Sequence, residues 1–192
     1  MKKVLFTFLA LSLTTASLFA QLSGGIKAGL NLANQVWSAN GFSASPDSRT
    51  SFHVGGYLNF APSEKFSIQP ELLFSGAGAK VDGSQLKLSY ITVPVMFKYN
   101  PTAVFNLQAG PQVGFLLSAK DDDGNDVKDG YKGLDLGLGF GLGVDLPMGL
   151  NFTARYVLGL ANVAESDPDI GDIKVKNTVI QLYDGYRLFG GD

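Results

Sequence analysis

Residues 134–146 read LDLGLGFGLGVDL, and every second position is large and apolar: Leu134, Leu136, Leu138, Phe140, Leu142, Val144 and Leu146. The positions between them are Asp135, Gly137, Gly139, Gly141, Gly143 and Asp145. Period-2 alternation predicts a β-strand with two unlike faces, one greasy and one nearly bare. A strand of a soluble sandwich shows polar side chains to water, not glycines. Glycine fits a face pressed against crowded side chains inside a narrow barrel. About 13 residues at ~3.4 Å each, tilted by ~45°, span roughly 30 Å, the hydrocarbon thickness of a bilayer. The leucine face is therefore expected to meet lipid.

The same unit recurs along the chain. Strands are expected over 25–34, 52–61, 66–80, 86–99, 104–119, 134–146, 150–163 and 175–189, with the polar stretch 35–51 as a long loop. Pro70 interrupts the third and predicts a bulge there. In the fifth, Phe105, Leu107, Ala109, Pro111, Val113, Phe115 and Leu117 are read as outward, and Asn106, Gln108, Gly110, Gln112, Gly114 and Ser118 as inward. The expected fold is all-β: an eight-stranded antiparallel up-and-down transmembrane β-barrel. Loop lengths add a second signal. The first, third, fifth and seventh connections are longer or more polar, and the others are short, which is the parity of outer-membrane barrels. Phe60, Phe66, Phe97, Tyr99, Phe105, Phe152, Tyr186 and Phe189 all fall near the short-turn end, as an interfacial aromatic girdle requires.

Composition agrees with many strands and tight turns: 24 Gly, 14 Phe and 7 Tyr among 192 residues. With no cysteine, disulfides and Cys-ligated metals are excluded, and no cofactor is implied. A net charge of −2 without a basic stripe argues against nucleic acid as a partner. The N-terminus reads separately. Lys2 and Lys3 precede an apolar run over 4–13, and SLFA precedes Gln21. This is the pattern of a secretory signal peptide over 1–20, leaving 21–192 as the barrel domain and the outer membrane as its destination. Export would place the first connection, and every odd-numbered one, outside the cell.

The segments GIKAGLNLAN, FSIQPELLFSGAGAK with LSYITVPVMFKY, FNLQAGPQVGFLL, and ARYVLGLANV followed by NTVIQLYDGYRLF resemble the PorT-like outer-membrane β-barrel family of the Bacteroidota. The resemblance covers most of the chain after residue 20 and implies the barrel fold. Its named member takes part in a protein secretion and gliding machinery, a role that strand patterns alone do not transfer. Two positions depart from the family. Asp184 falls on an outward face, and the chain ends Phe189-Gly190-Gly191-Asp192 rather than on the aromatic residue.

The candidate chemistry lies inside the barrel and in its loops. Lys27, His53, Glu71, Lys98, Asp135, Asp145 and Arg155 fall on inward positions and are expected to form a paired polar network that plugs the lumen. Glu71 with Lys98, and Asp145 with Arg155, are the pairs suggested by strand adjacency. A proton- or ion-conducting path is the alternative use of the same residues. His53 and Asp135 could join a serine in a hydrolase triad, but no nucleophile motif accompanies them, and an enzyme is not expected. The glycines of 134–146 do not match a dinucleotide fingerprint, because Leu142 stands where the third glycine belongs. Asp121, Asp122, Asp123, Asp126 and Asp129 in one loop, and Glu165, Asp167, Asp169 and Asp172 in the next, make an oxygen-rich set suited to weak Ca²⁺ or Mg²⁺ binding, though not in EF-hand spacing.

Two function classes follow. One is a small non-enzymatic outer-membrane barrel, structural or accessory to an envelope or secretion complex. Its partners would be outer-membrane lipid and lipopolysaccharide, the barrel assembly machinery during insertion, and an envelope protein complex. The other is a periplasmic lipid- or small-ligand-binding β-barrel with its apolar faces turned inward. Which face is buried discriminates them.

Overall fold

The structure is a computed structural model that describes residues 21–39, 42–81, 83–165 and 174–190. The proposed signal peptide and Asp167, Asp169 and Asp172 lie outside the described residues. The strands are β1 (Leu22–Ala39), β2 (Phe42–Ala44), β3 (Asp47–Phe60), β4 (Phe66–Val81), β5 (Ser84–Tyr99), β6 (Phe105–Lys120), β7 (Leu134–Asp145), β8 (Leu150–Gly159) and β9 (Lys174–Phe189). All neighbours pair antiparallel, and β1 also pairs with β9, which closes the sheet. Eight long strands form the ring, and β2 is a three-residue addition at one rim.

The alternation decides which way each strand faces. Leu30, Phe52, Leu72, Phe97, Phe105, Leu142, Phe152 and Leu182 are exposed on the outside. Lys27, Glu71 and Arg155 are buried on the inside. An apolar outer band of this extent has no counterpart on a soluble monomer. It is the lipid-facing surface of a membrane barrel, and the inward-apolar ligand carrier is excluded by the direction of the side chains. Phe66, Phe97, Tyr99, Phe105, Phe152, Tyr186 and Phe189 stand exposed around the short-turn end, where Phe66 packs on Tyr99 with ring centroids 5.2 Å apart.

The glycine face of β7 has a steric reason. A Cβ at Gly139 would lie 3.3 Å from Met96 Cε and 3.4 Å from Arg155 Cδ; one at Gly143 would lie 2.8 Å from both Asn106 Nδ2 and Thr153 Oγ1. The lumen is full, and only backbone fits against its contents.

Four expectations need correction. The stretch 35–51 is mostly strand: β1 pairs with β9 as far as Ser38↔Lys174, and β3 begins at Asp47. Beyond the bilayer the ladder no longer needs apolar alternation. Asn34 Nδ2 donates to Ser45 Oγ at 3.0 Å, so polar residues carry the extension. Pro70 introduces no bulge: the β4–β5 register is unshifted on both sides of it, with an unpaired gap between Pro70↔Val95 and Leu73↔Thr92. Ser118 does not point inward: Leu116 still holds the inward phase of Gly114, but the β5–β6 register shifts by one residue at Leu117, so that Ala119 is buried in place of Ser118. Finally, β8 stops at Gly159, before the expected 163. Asn162 Oδ1 accepts from the N–H groups of Ala164 (3.2 Å) and Val175 (2.8 Å), folding that segment back as a turn.

Candidate functional site

Inward positions of β1, β4 and β8 meet near the middle of the lumen. Glu71 on β4 is 3% exposed and is the centre of the cluster. Arg155 of β8 grips it in a two-point fork, Nη1 donating to Oε2 at 2.9 Å and Nη2 to Oε1 at 2.8 Å. Lys27 of β1 closes from the other side, with Nζ 2.6 Å from Oε2, and Gln69 Nε2 donates to Oε1 at 2.8 Å. Arg155 Nη2 also donates to Gln108 Oε1 (2.6 Å) and to the Tyr183 hydroxyl (2.7 Å). Two cations thus share one carboxylate. The second positive charge is met by the face of Tyr183, whose ring centroid lies 4.1 Å from Lys27 Nζ.

The network runs on toward the short turns. Gln108 Nε2 donates to Asn106 Oδ1 at 3.2 Å, and Asn106 Nδ2 donates to Asp145 Oδ2 at 2.7 Å. Lys98 Nζ lies 3.3 Å from the same oxygen. The ion pairs therefore differ from those suggested by strand adjacency. Lys98 stands opposite Ser67, and Arg155 opposite Gly141. Each is four positions from its expected partner, roughly 14 Å along a strand. In a lumen this narrow, a long side chain reaches strands across the ring more easily than that far along its own ladder.

His53 is buried on β3, its ring edge-on to Tyr183 at 5.3 Å. Asn31 Nδ2 donates to Gly76 O (2.8 Å) and Ser75 Oγ (3.0 Å), so Asn31 Oδ1 faces the imidazole. That oxygen is 2.6 Å from His53 Nδ1, which must therefore carry the proton. No serine hydroxyl bonds to His53 among the described residues, and Asp135 bonds elsewhere: Asn177 Nδ2 donates to its Oδ2 at 2.8 Å. The two residues of the suggested triad do not meet.

Above this polar half lies an apolar plug that the sequence reading missed. Ala33, Ala77, Leu88, Tyr90, Leu116, Ala119, Val157 and Val179 fill the lumen toward the long-loop end. Val127 and Tyr131, from the loop between β6 and β7, pack on it as a lid. A clue was present in the sequence: Ala33, Ala77, Leu88 and Val157 occupy inward positions, and small apolar residues there can only line a dry lumen.

Among the described residues, the loop acids form no cluster of three or more carboxylates. The two acidic loops do come together, since Tyr131 bridges to Ala164 and the Glu165 N–H donates to Gly130 O at 3.1 Å. Asp121, however, spends both oxygens on Asn125, at 2.8 and 2.9 Å, and those bonds hold its carboxyl below the usual aspartate range. Asp126 Oδ1 accepts from the Lys128 N–H at 2.9 Å. Asp122, Asp123, Asp129 and Glu165 are exposed. At the opposite end, a cavity of about 150 Å³ opens among the short turns, bordered by Tyr57, Asn59, Lys98, Asp145, Asn151 and Arg187.

The family profile described as outer membrane protein beta-barrel domain matches residues 15–165. No curated protein matches the chain in sequence. Among solved structures, it resembles Neisserial surface protein A at 13% identity and a TM-score of 0.54, over 84% of this chain and 96% of that one. Ail of Yersinia pestis, solved with the heparin analogue sucrose octasulfate, aligns at 18% identity and a TM-score of 0.48, over 88% and 99%. OprG of Pseudomonas aeruginosa aligns at 16% and 0.41, over 88% and 95%. At 13% identity the likeness to Neisserial surface protein A is one of fold.

Proposed function

Starting from the fact that the chain belongs to the outer membrane protein beta-barrel domain family, we propose that it is a closed, non-enzymatic barrel that works through its surfaces rather than its lumen. The observation that carries this is the double seal. The Lys27–Glu71–Arg155 layer fills the centre, and an apolar plug with a loop lid lies over it. An ion would have to break a buried salt bridge and then cross a dry layer, each costing several kcal/mol. The role is structural, or accessory to an envelope or secretion complex. The PorT-like branch is the finer family reading, and it rests on the quoted strand segments. With the signal peptide leading export, the short turns face the periplasm and the acidic loops face outward. There the loops can meet lipopolysaccharide, with weak divalent-cation bridges; calorimetry in Ca²⁺ that gives only dilution heat would count against those bridges. Envelope proteins and the barrel assembly machinery are the remaining proposed partners.

The test is conductance. Purified protein, folded and heat-modifiable on gels, is reconstituted into planar bilayers. The expected result is no channel steps above background. Reproducible ohmic steps that change when Glu71 or Arg155 is replaced would favour the ion path instead.

A further inference from the structure

Between the polar layer and the apolar plug sits a small, narrow space of about 20 Å³. That is room for one water molecule or one small bare ion. Thr92, Gln112, Asp135 and Gln181, from β5, β6, β7 and β9, all border it. Each of these residues carries a buried oxygen with no hydrogen-bond partner among the described residues: Thr92 Oγ1, Gln112 Oε1, Asp135 Oδ1 and Gln181 Oε1. Two of the side chains are oriented by bonds on their other side. Asp135 Oδ2 is held by Asn177, and Gln181 Nε2 donates to Asn31 Oδ1 at 3.4 Å. Gly114 lies between two of these same residues. A Cβ there would lie 3.4 Å from the Tyr90 ring and 3.5 Å from both Asp135 Cβ and the Thr92 methyl, so the bare glycine leaves room for these side chains.

Three of the four oxygens can only accept while Asp135 is ionised, and Thr92 can accept as well. Asp135 joins no ion pair among the described residues. Asp135 as a whole is half-buried, but its Oδ1 is shielded from solvent, and a carboxylate oxygen so placed favours a positive partner. A single water supplies two protons and no charge. A bare cation satisfies all four oxygens and the charge together. One carboxylate and few oxygens suit a single positive charge rather than Ca²⁺, which takes six to eight oxygens. We propose that this space is a structural site for a dehydrated monovalent cation of sodium's size, ligated by Thr92, Gln112, Asp135 and Gln181. The site would tie four strands together at the boundary between the two halves of the lumen.

Because the site lies inside the barrel, the ion is offered during folding. The full chain is refolded from urea into detergent in sodium chloride or in choline chloride at equal ionic strength, and the urea midpoint is measured in each. The expected result is a higher midpoint in sodium, rising with the logarithm of its concentration once the site begins to fill. Asp135→Asn abolishes the difference. Thr92→Val, which keeps the charge and removes one ligand, reduces it, and decides the matter if Asp135→Asn does not fold. Equal wild-type midpoints in the two salts would overturn the proposal, leaving a water or a carboxyl-bound proton in the space. So would a sodium effect that survives Asp135→Asn.

Discussion

Replacing Glu71 by Gln keeps the shape of the central cluster and removes its only negative charge. The amide keeps one acceptor oxygen and turns an NH2 toward the other donors, so Arg155 would lose one arm of its fork (2.8 or 2.9 Å), Lys27 would lose its anionic partner at 2.6 Å, and both cations, 2% exposed, would lose the countercharge. Removing one partner of a buried pair costs about 3–5 kcal/mol, because the charge left behind has no water to turn to. Here two charges are left, so the loss belongs at the upper end, about 5 kcal/mol, against a total stability of about 5–15 kcal/mol for a domain. Lys27→Met is the informative contrast. It removes the surplus cation and leaves Arg155 and Glu71 as a one-to-one fork, so it should cost no more than about 1–2 kcal/mol. Urea unfolding in lipid vesicles, followed by tryptophan fluorescence from Trp37 and by the heat-dependent gel shift, gives both numbers. Equal losses for the two variants would refute the reasoning. It would mean that the cluster is held by packing rather than by charge balance.

Gly141→Ala should cost about 1–3 kcal/mol in the same assay, because its Cβ would meet the Ala154 carbonyl oxygen at 2.9 Å and Gln108 Cγ at 3.1 Å. Asp184 is exposed on the outer face opposite Phe152; Asp184→Leu should raise stability in vesicles by up to about 2 kcal/mol, since an acid facing lipid is costly by a depth-dependent amount, and a loss of stability would argue that this face is not lipid-covered. The carboxyl of Asp121 is held low chiefly by Asn125, so its bonds are fully present above the ordinary aspartate range and are lost only as pH falls through its depressed value. In NMR titrations the Asn125 backbone amide should therefore shift at a pH below the ordinary aspartate range, and a shift within that range would count against the loop geometry.

Strand by strand, the pattern in the sequence determined the barrel. Alternation in 134–146 set which residues face lipid, loop parity set the two ends, and aromatic positions marked one interface; all are local, and a period-2 backbone converts them directly into faces. Lys27, Glu71 and Arg155 were legible as inward for the same reason. Their partnership was not: it depends on how strands slide past one another as the ring closes, and β1, β4 and β8 are distant in sequence. Polar residues 35–51 read as a loop because apolar alternation stops where the bilayer ends, although the ladder of backbone hydrogen bonds does not. The apolar plug and the narrow space bordered by Asp135 were decided by the tertiary structure alone. They arise where single inward side chains from several strands converge, with a register shift at Leu117 turning Ala119 inward.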